Sequence, residues 1–389
     1  MNVEVLEGFE KSRLSALLDH LGEIDDPREP WRVAHPLTEV LLMVVCGTIC
    51  DCDDYDLIAA WGARHLDFLR KYLPYDHGVP GGRWLTILMN RIDPGLFSAA
   101  FTAWVRETWP ERLDLVAIDG KTSRRSHDRP SGAAPLHLVS AFATTQRLVL
   151  GQEAVADKSN ETTAIPVLLE RLGQNDGLKG AMVSIDAIAT NGVIAKAIGA
   201  QGADYLLAVK ANQPTLRAEV EACFAEAPAA ALDTFADIDK GHGRIEQRTV
   251  TVVREVDWLG GARRFPGELR LPGVAAIVRV QSRTELKDRC RYDTRYFITS
   301  ASLDAQRAGA VVRAHWAIEN SLHWTLDVVF KEDQSRLRKG HGANNMAVVR
   351  HFAINIVRAA TDKRSIKSRR KIAGWDTRYL AVLLGPIPR

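Results

Sequence analysis

The chain has 389 residues, of which 46% are apolar and 25% charged, with a formal net charge of +3. That is the composition of an ordinary globular protein with room for two or three domains, and its overall charge does not announce a nucleic-acid binder. The longest apolar run, near Val40 to Cys50, is too short to span a bilayer, and the acidic start "MNVEVLEGFEKSRL" lacks the apolar core of a secretory signal.

Residues before about Trp109 read as helical. "SRLSALLDHLGEI" and "PLTEVLLMVVCGTI" place apolar residues at three- and four-residue steps. Cys46 and Cys50 sit in the apolar stretch "LLMVVCGTICDCDDYDLI" as small buried thiols. The five cysteines form no CxxC pair and have no partnered histidine spacing, which disfavours a zinc site and suits a reducing, cytoplasmic location. "DHGVPGG" is a turn-rich loop. "DPGLFSAAFTAWVRETW" then offers Asp93 as an N-cap with Pro94 at the first helical position.

From Leu113 the period changes. "LDLVAIDG", "LHLVSAFATT" and "RLVLGQEAVA" read as strands, the last two joined tightly at Thr145–Gln146. "TTAIPVLLERLG" is a helix with Asn160 as its cap, "GAMVSIDAIAT" a strand, "NGVIAKAIGAQG" a helix closed by Gly202, and "DYLLAVKAN" a strand. This order predicts an α/β fold with a mixed sheet covered on both faces. Between Asp233 and Ser300 the chain is β-rich again, through "RIEQRTVTVVREV", "GVAAIVRVQSRTEL" and "TRYFITS". A long helical pattern opens at Ser302 and runs past Phe330, and "ANNMAVVRHFAINIVRAA" forms another. "DKRSIKSRRK", Asp362 to Lys371, holds six basic residues against one acid; a solvated segment is its plainer reading and a nucleic-acid-facing one its rival.

Three carboxylates stand out. Asp119 ends the strand "LVAID" and Asp186 ends "MVSID", and ligands of open α/β sheets gather outside such strand ends. Two neighbouring carboxylates repel unless something positive lies between them, and a divalent metal is the simplest answer. In "RAHWAIENSLHWTLDVVFKED", taken as one helix, His315, Glu319, His323 and Asp327 share a stripe. Ile318, Leu322, Leu326 and Val329 form the core stripe that would hold Glu319 in place. The plainer alternatives remain open: each aspartate caps a turn, His315 and His323 lie on the surface, and Glu319 pairs with Arg313 or Lys331.

The segment "HWAIENSLHWTLDVVFKEDQSRLRKGHGANN" resembles the signature of DDE transposases from bacterial insertion sequences, in the group that includes the H-repeat-associated proteins. "GVPGGRWLTILMNRIDPGLFSAAFTAWV", "AIDGKTSRRS", "DKSNETTAIPVLLERL", "IDAIATNGVIAKAIGAQGADYLLAVKANQPTL" and "GHGRIEQR" extend the resemblance over most of the chain. It implies a helical N-terminal domain over 1–110, an RNase H-like catalytic domain opening over 111–232, a β-rich insertion over 233–300, and a helical completion over 301–389 with the third acid and the basic C-terminal segment. It assigns Asp119, Asp186 and Glu319 as the catalytic, metal-holding acids, with Mg2+ as the ion and Mn2+ as a substitute. Two such ions about 4 Å apart serve in-line phosphoryl transfer.

The implied activity is nicking of transposon ends and joining of the freed 3′-hydroxyl to target DNA. The implied partners are double-stranded DNA and a second copy of the chain on that DNA. A catalytically silent DNA-binding remnant and a host RNase H-like nuclease are the rival expectations. Lys121, Arg124 and Arg125 are expected to hold phosphates near the acid. Relatives carry a Tyr–Arg–Glu–Lys pattern around the third acid. Here His315 stands four residues before Glu319 and Leu326 seven after it, so Arg313, Lys331, Arg336 and Arg338 are the substitutes expected to contact DNA.

Overall fold

In a computed structural model of the chain, residues 12–110, 115–128, 132, 134–155, 161–187, 190–241, 243–260, 268 and 270–386 are described. Asn160, read above as a helix cap, lies outside them. Six helices come first: α1 (Arg13–Gly22), α2 (Leu37–Ile49), α3 (Tyr55–Arg64), α4 (Leu66–Leu69), α5 (Gly82–Met89) and α6 (Pro94–Thr108). Side-chain caps set several of their starts. Ser12 accepts from the Ser15 amide at 3.1 Å, Asp54 from Leu57 at 2.8 Å, and Asp93 from Leu96 at 2.9 Å with Pro94 in the first turn. α2 is buried at every position but Thr38, as a helix apolar on all sides must be.

The sheet opens with an antiparallel meander, β1 (Leu115–Thr122), β2 (His137–Ala143) and β3 (Leu148–Val155), with Arg147 at φ 57° in the tight turn between the last two. After α7 (Glu161–Gly173), β4 (Met182–Ile185) pairs parallel to β1. After α8 (Gly192–Ala200), β5 (Asp204–Val209) pairs parallel to β4. The next helix, α9 (Pro214–Glu226), is absent from the sequence reading, although Leu216, Val220 and Phe224 recur at four-residue steps and are buried.

The β-rich stretch supplies β6 (Asp233–Gly241), β7 (Arg244–Val253), β8 (Ala276–Glu285) and β9 (Cys290–Thr299). These strands extend the same sheet, because β9 runs antiparallel to β5 from Leu206↔Thr299 to Val209↔Tyr296. The result is one nine-stranded mixed sheet in the order β3-β2-β1-β4-β5-β9-β8-β7-β6. Four helices follow: α10 (Ala305–His315), α11 (Gly342–Arg358), α12 (Ile366–Trp375) and α13 (Thr377–Leu384).

One hydrophobic core joins the first six helices to β1–β5 and to α11–α13. A smaller one forms where Ala305, Ala308, Val311 and Val312 of α10 cover Val250, Val252 and Val278, reaching Leu115, Met182 and Leu206. At the β3 edge, the side-chain amide of Asn355 on α11 bonds Val149 in both directions, at 3.0 Å from its N–H and 2.8 Å to its carbonyl.

Two expectations need correction. The pattern after Ser302 is not one regular helix: α10 ends at His315, and wide π turns follow over Ile318–His323 and Thr325–Val329. There the N–H groups reach five residues back, Trp324 to Glu319 and Phe330 to Thr325. Such turns are uncommon and recur at functional sites. The basic run is not uniformly solvated or DNA-facing. Arg370 is 1% exposed, bonds the carbonyls of Val329 and Thr48, pairs with Asp51 at 3.0 Å and covers the Phe330 ring at 3.9 Å. Arg369 is buried too, donating to Asp362 at 2.9 Å and to the Val357 carbonyl at 2.8 Å. No helix among the described residues is long and apolar enough to cross a membrane.

Candidate active site

The parallel pairing of β1 and β4 ends at Ile118↔Ile185, so Asp119 and Asp186 are the next residues along adjacent strands. Each carboxylate takes its local backbone amide: Gly120 donates to Asp119 at 2.9 Å and Ala187 to Asp186 at 2.7 Å. Turn capping therefore accounts for one contact of each acid but not for its remaining surroundings.

Burial pushes the Asp119 carboxyl up to about 7. The Gly120 amide works against this, while the negative charges of Glu319, Asp186 and Glu161 add to it. The nearest basic group is His323, whose Nδ1 lies 3.7 Å from Asp119 Oδ2. Burial drives that imidazole down to about 4, so it is neutral at neutral pH. Asp186 is different. Burial raises it, but the Lys210 ammonium at 2.6 Å and the Ala187 amide bring it below the ordinary carboxylate range.

Glu319 is exposed on the first π segment, and its charge reaches Asp119. The plainer pairings for it fail: Arg313 pairs with Asp237 and Asp239 of β6, and Lys331 with Asp53 at 2.6 Å. Nor are the histidines of this stripe surface groups. His315 Nδ1 lies 2.9 Å from Ser184 Oγ, and burial lowers His315 to about 4. Carboxylate oxygens such as those of Asp119, Asp186 and Glu319 are the hard donors that Mg2+ or Mn2+ prefers. Among the described residues, no three Asp, Glu, His or Cys side chains converge as a ready-made metal group.

Three functional neighbours escape the sequence reading. Lys210 follows β5 and holds Asp186, and neither residue signals the other across 24 positions of chain. Glu161, the first residue of α7, is buried with its Oε1 2.6 Å from His137 Nε2, and His137 Nδ1 lies 2.8 Å from Thr122 Oγ1. This group crowds Gly120: a Cβ there would collide with the Glu161 carboxylate and lie 2.7 Å from His137 Nε2. The residue after Asp119 must therefore lack a side chain.

The expected DNA contacts divide. Lys121 is half-buried, paired with Asp327 at 2.8 Å and Glu332 at 2.9 Å, with Asp333 at 3.6 Å. Its charge is committed inside the protein and fastens β1 to the second π segment, contrary to its expected phosphate contact. Arg313 and Lys331 are engaged by the carboxylates named above. Arg124, Arg125, Arg336 and Arg338 are exposed. Arg124 Nε lies 3.3 Å from Asp333, and Arg338 donates to the Arg125 carbonyl at 3.1 Å, so both pairs of arginines share one surface.

The chain belongs to the DDE transposases: residues 110–356 match the family described as Transposase DDE domain, and residues 18–105 match the one described as DDE_Tnp_1-associated. Among its relatives, the protein of Escherichia coli K12 named "H repeat-associated putative transposase YhhI" is 36% identical over 377 residues, covering 95% of this chain and 98% of that protein. "Putative transposase YncI" of Escherichia coli O157:H7 is 34% identical over 387 residues, covering 95% of each. A short relative from Escherichia coli K12, named "Inactive transposase YbfQ", is 34% identical over 67 residues, 17% of this chain and 80% of that protein.

Proposed function

We propose that this protein cuts and joins DNA at the ends of its own mobile element, with Asp119, Asp186 and Glu319 as the catalytic acids. The observation that carries the reading is the Asp119 carboxyl, raised to about 7 by burial and by the charges of Glu319, Asp186 and Glu161. Such a cluster is costly to maintain unless a cation balances it. The sheet supports an RNase H-like core: three antiparallel strands, then two more parallel to the first in the order β3-β2-β1-β4-β5.

Divalent cations bound by these acids supply activation of a water or 3′-hydroxyl and neutralise charge at the phosphorus. Asp119, Asp186 and Glu319 are the residues that would hold those cations. His315 and His323 remain neutral and repel no cation. Lys210 pairs with Asp186, and were the acid engaged by a cation its ammonium would be free for a DNA phosphate. Arg124, Arg125, Arg336 and Arg338 hold the backbone leading to the site. The region 1–110 arranges DNA and protomers, two copies act on paired ends, and the reaction takes place in the cytoplasm.

The test is a strand-cleavage assay on terminal-repeat DNA with Mg2+ or Mn2+. Wild type nicks and joins, while Asp119→Ala, Asp186→Ala and Glu319→Ala do neither. The Lys210–Asp186 pair favours one second reading, a silent DNA-binding product. DNA binding that survives chelation, with no nicking under any metal, would establish that instead.

A further inference from the structure

The run Asp362–Lys371 is sorted by side-chain type across α12. Two of its arginines face inward, Arg369 and Arg370, buried as described, while Arg364 is exposed just before the helix and donates to Asp362 at 3.0 Å. Its lysines face outward. Lys363, Lys367 and Lys371 are exposed, and among the described residues none has an acidic partner. Lys367, Lys371 and Trp375 follow at four-residue steps, so one helix face carries two ammonium groups and an indole that is 79% exposed. Arg378, exposed in the first turn of α13, adds a further cation, while Asp376, spent in capping the Arg378 amide at 2.9 Å, is the one exposed carboxylate in this stretch.

We infer that this outer face of α12, with Lys367, Lys371 and Trp375, together with Lys363 just before the helix, is a docking surface for the phosphate backbone of duplex DNA. The inference rests on the DNA-processing role proposed above and adds a contact apart from the acid cluster. Charge complementarity selects the occupant: a row of unpaired cations with an interleaved aromatic matches a polyanion and opposes another basic surface. The inner face of the helix supplies rigidity. Through Arg370 it is bonded to the Val329 carbonyl and stacked on Phe330, where the second π segment ends. DNA gripped on the outer face is thereby held in fixed relation to the second π segment, which follows directly on the one that carries Glu319.

The experiment uses the full chain and a 30-base-pair duplex bearing the element's terminal repeat, with chelator present so that no cleavage occurs. Affinity is measured by fluorescence anisotropy from low to moderate salt for wild type and for Lys363→Gln/Lys367→Gln/Lys371→Gln. The expected result is a log–log salt slope shallower by about two to three, since each phosphate contact contributes roughly 0.9, and weaker binding at every salt concentration. Trp375→Ala weakens binding while leaving the slope unchanged. An unchanged slope and affinity in the triple variant, with wild-type circular dichroism, overturns the inference. So does a shift in sedimentation towards smaller species with DNA binding intact, which would make the face a contact between copies. Wild type failing to bind any duplex would instead sink the proposed function.

Discussion

Lys210 Nζ meets Asp186 at 2.6 Å, whereas Asp119, on the neighbouring strand, is raised by burial and by the charges of Glu319, Asp186 and Glu161, with a neutral imidazole 3.7 Å away. The two acids thus rest in opposite electrostatic states. Replacing Lys210 with Met leaves Asp186 free for a cation and removes a competitor. The pair is partly exposed, so the change is modest: Mn2+ should bind the DNA-free protein about two- to fivefold more tightly. Titration followed by electron paramagnetic resonance reads this directly, and equal or weaker Mn2+ binding would show that Lys210 does not guard the site.

The raised Asp119 carboxyl makes a pH prediction with a definite sign. A carboxyl that titrates near 7 in the folded protein and near 4 unfolded binds more protons when folded between those values. Folding stability therefore falls as pH rises through that window and stays reduced above it. Burial of His315, His323 and His351 acts oppositely, because their lowered values favour folding as pH rises from about 4 towards 6.5. The comparison must therefore be made between variants. In metal-free calorimetry, the melting temperature of Asp119→Asn minus that of wild type grows from near zero at pH 4 to several degrees at pH 7, then levels off. Mg2+ at pH 8 narrows the gap by stabilising only wild type. A difference that does not change with pH would mean that Asp119 is ordinary.

Lys121 is a structural cation. Removing it leaves Glu332 buried with Arg350 at 3.4 Å as its remaining close cation, and leaves Asp327 and Asp333 without their shared partner. Breaking a buried ion pair by deleting one member costs about 3–5 kcal/mol. Urea unfolding of Lys121→Met should lose that much, and Lys121→Arg should recover part of it. A loss under 1 kcal/mol would return Lys121 to the role of a surface DNA contact.

The four exposed arginines predict the reverse pattern. Arg124→Gln/Arg125→Gln/Arg336→Gln/Arg338→Gln should unfold at nearly the wild-type urea concentration. Its salt slope for duplex DNA should nevertheless be shallower by about two to four, at roughly 0.9 per lost contact. Unaltered DNA binding would remove this surface from the path of the substrate.

The acids are legible in the sequence because an apolar run ends on each aspartate, and that ending is a local event; the strand itself ends before Asp186 but, contrary to the sequence reading, continues past Asp119 to Thr122. The helix start at Asp93 is legible for the same reason: the cap lies within three residues of what it bonds. Contacts set by distant chain are not. Lys121 reads as the neighbour of Arg124 and Arg125, yet its burial is decided by Asp327 and Glu332, two hundred positions away. The β-rich stretch reads as an insertion because nothing local announces that β9 will pair with β5. The π turns are hidden because Ile318, Leu322, Leu326 and Val329 fit an ordinary helical stripe.

The amide of Asn355 has a further effect. It fills both hydrogen-bonding positions of Val149 at the rim of the sheet, as a strand's backbone would. A rim plugged in this way offers an incoming extended peptide no ladder to continue at that point. One side chain on a buried helix thereby helps to keep a nine-stranded sheet from recruiting its own kind and growing into fibres.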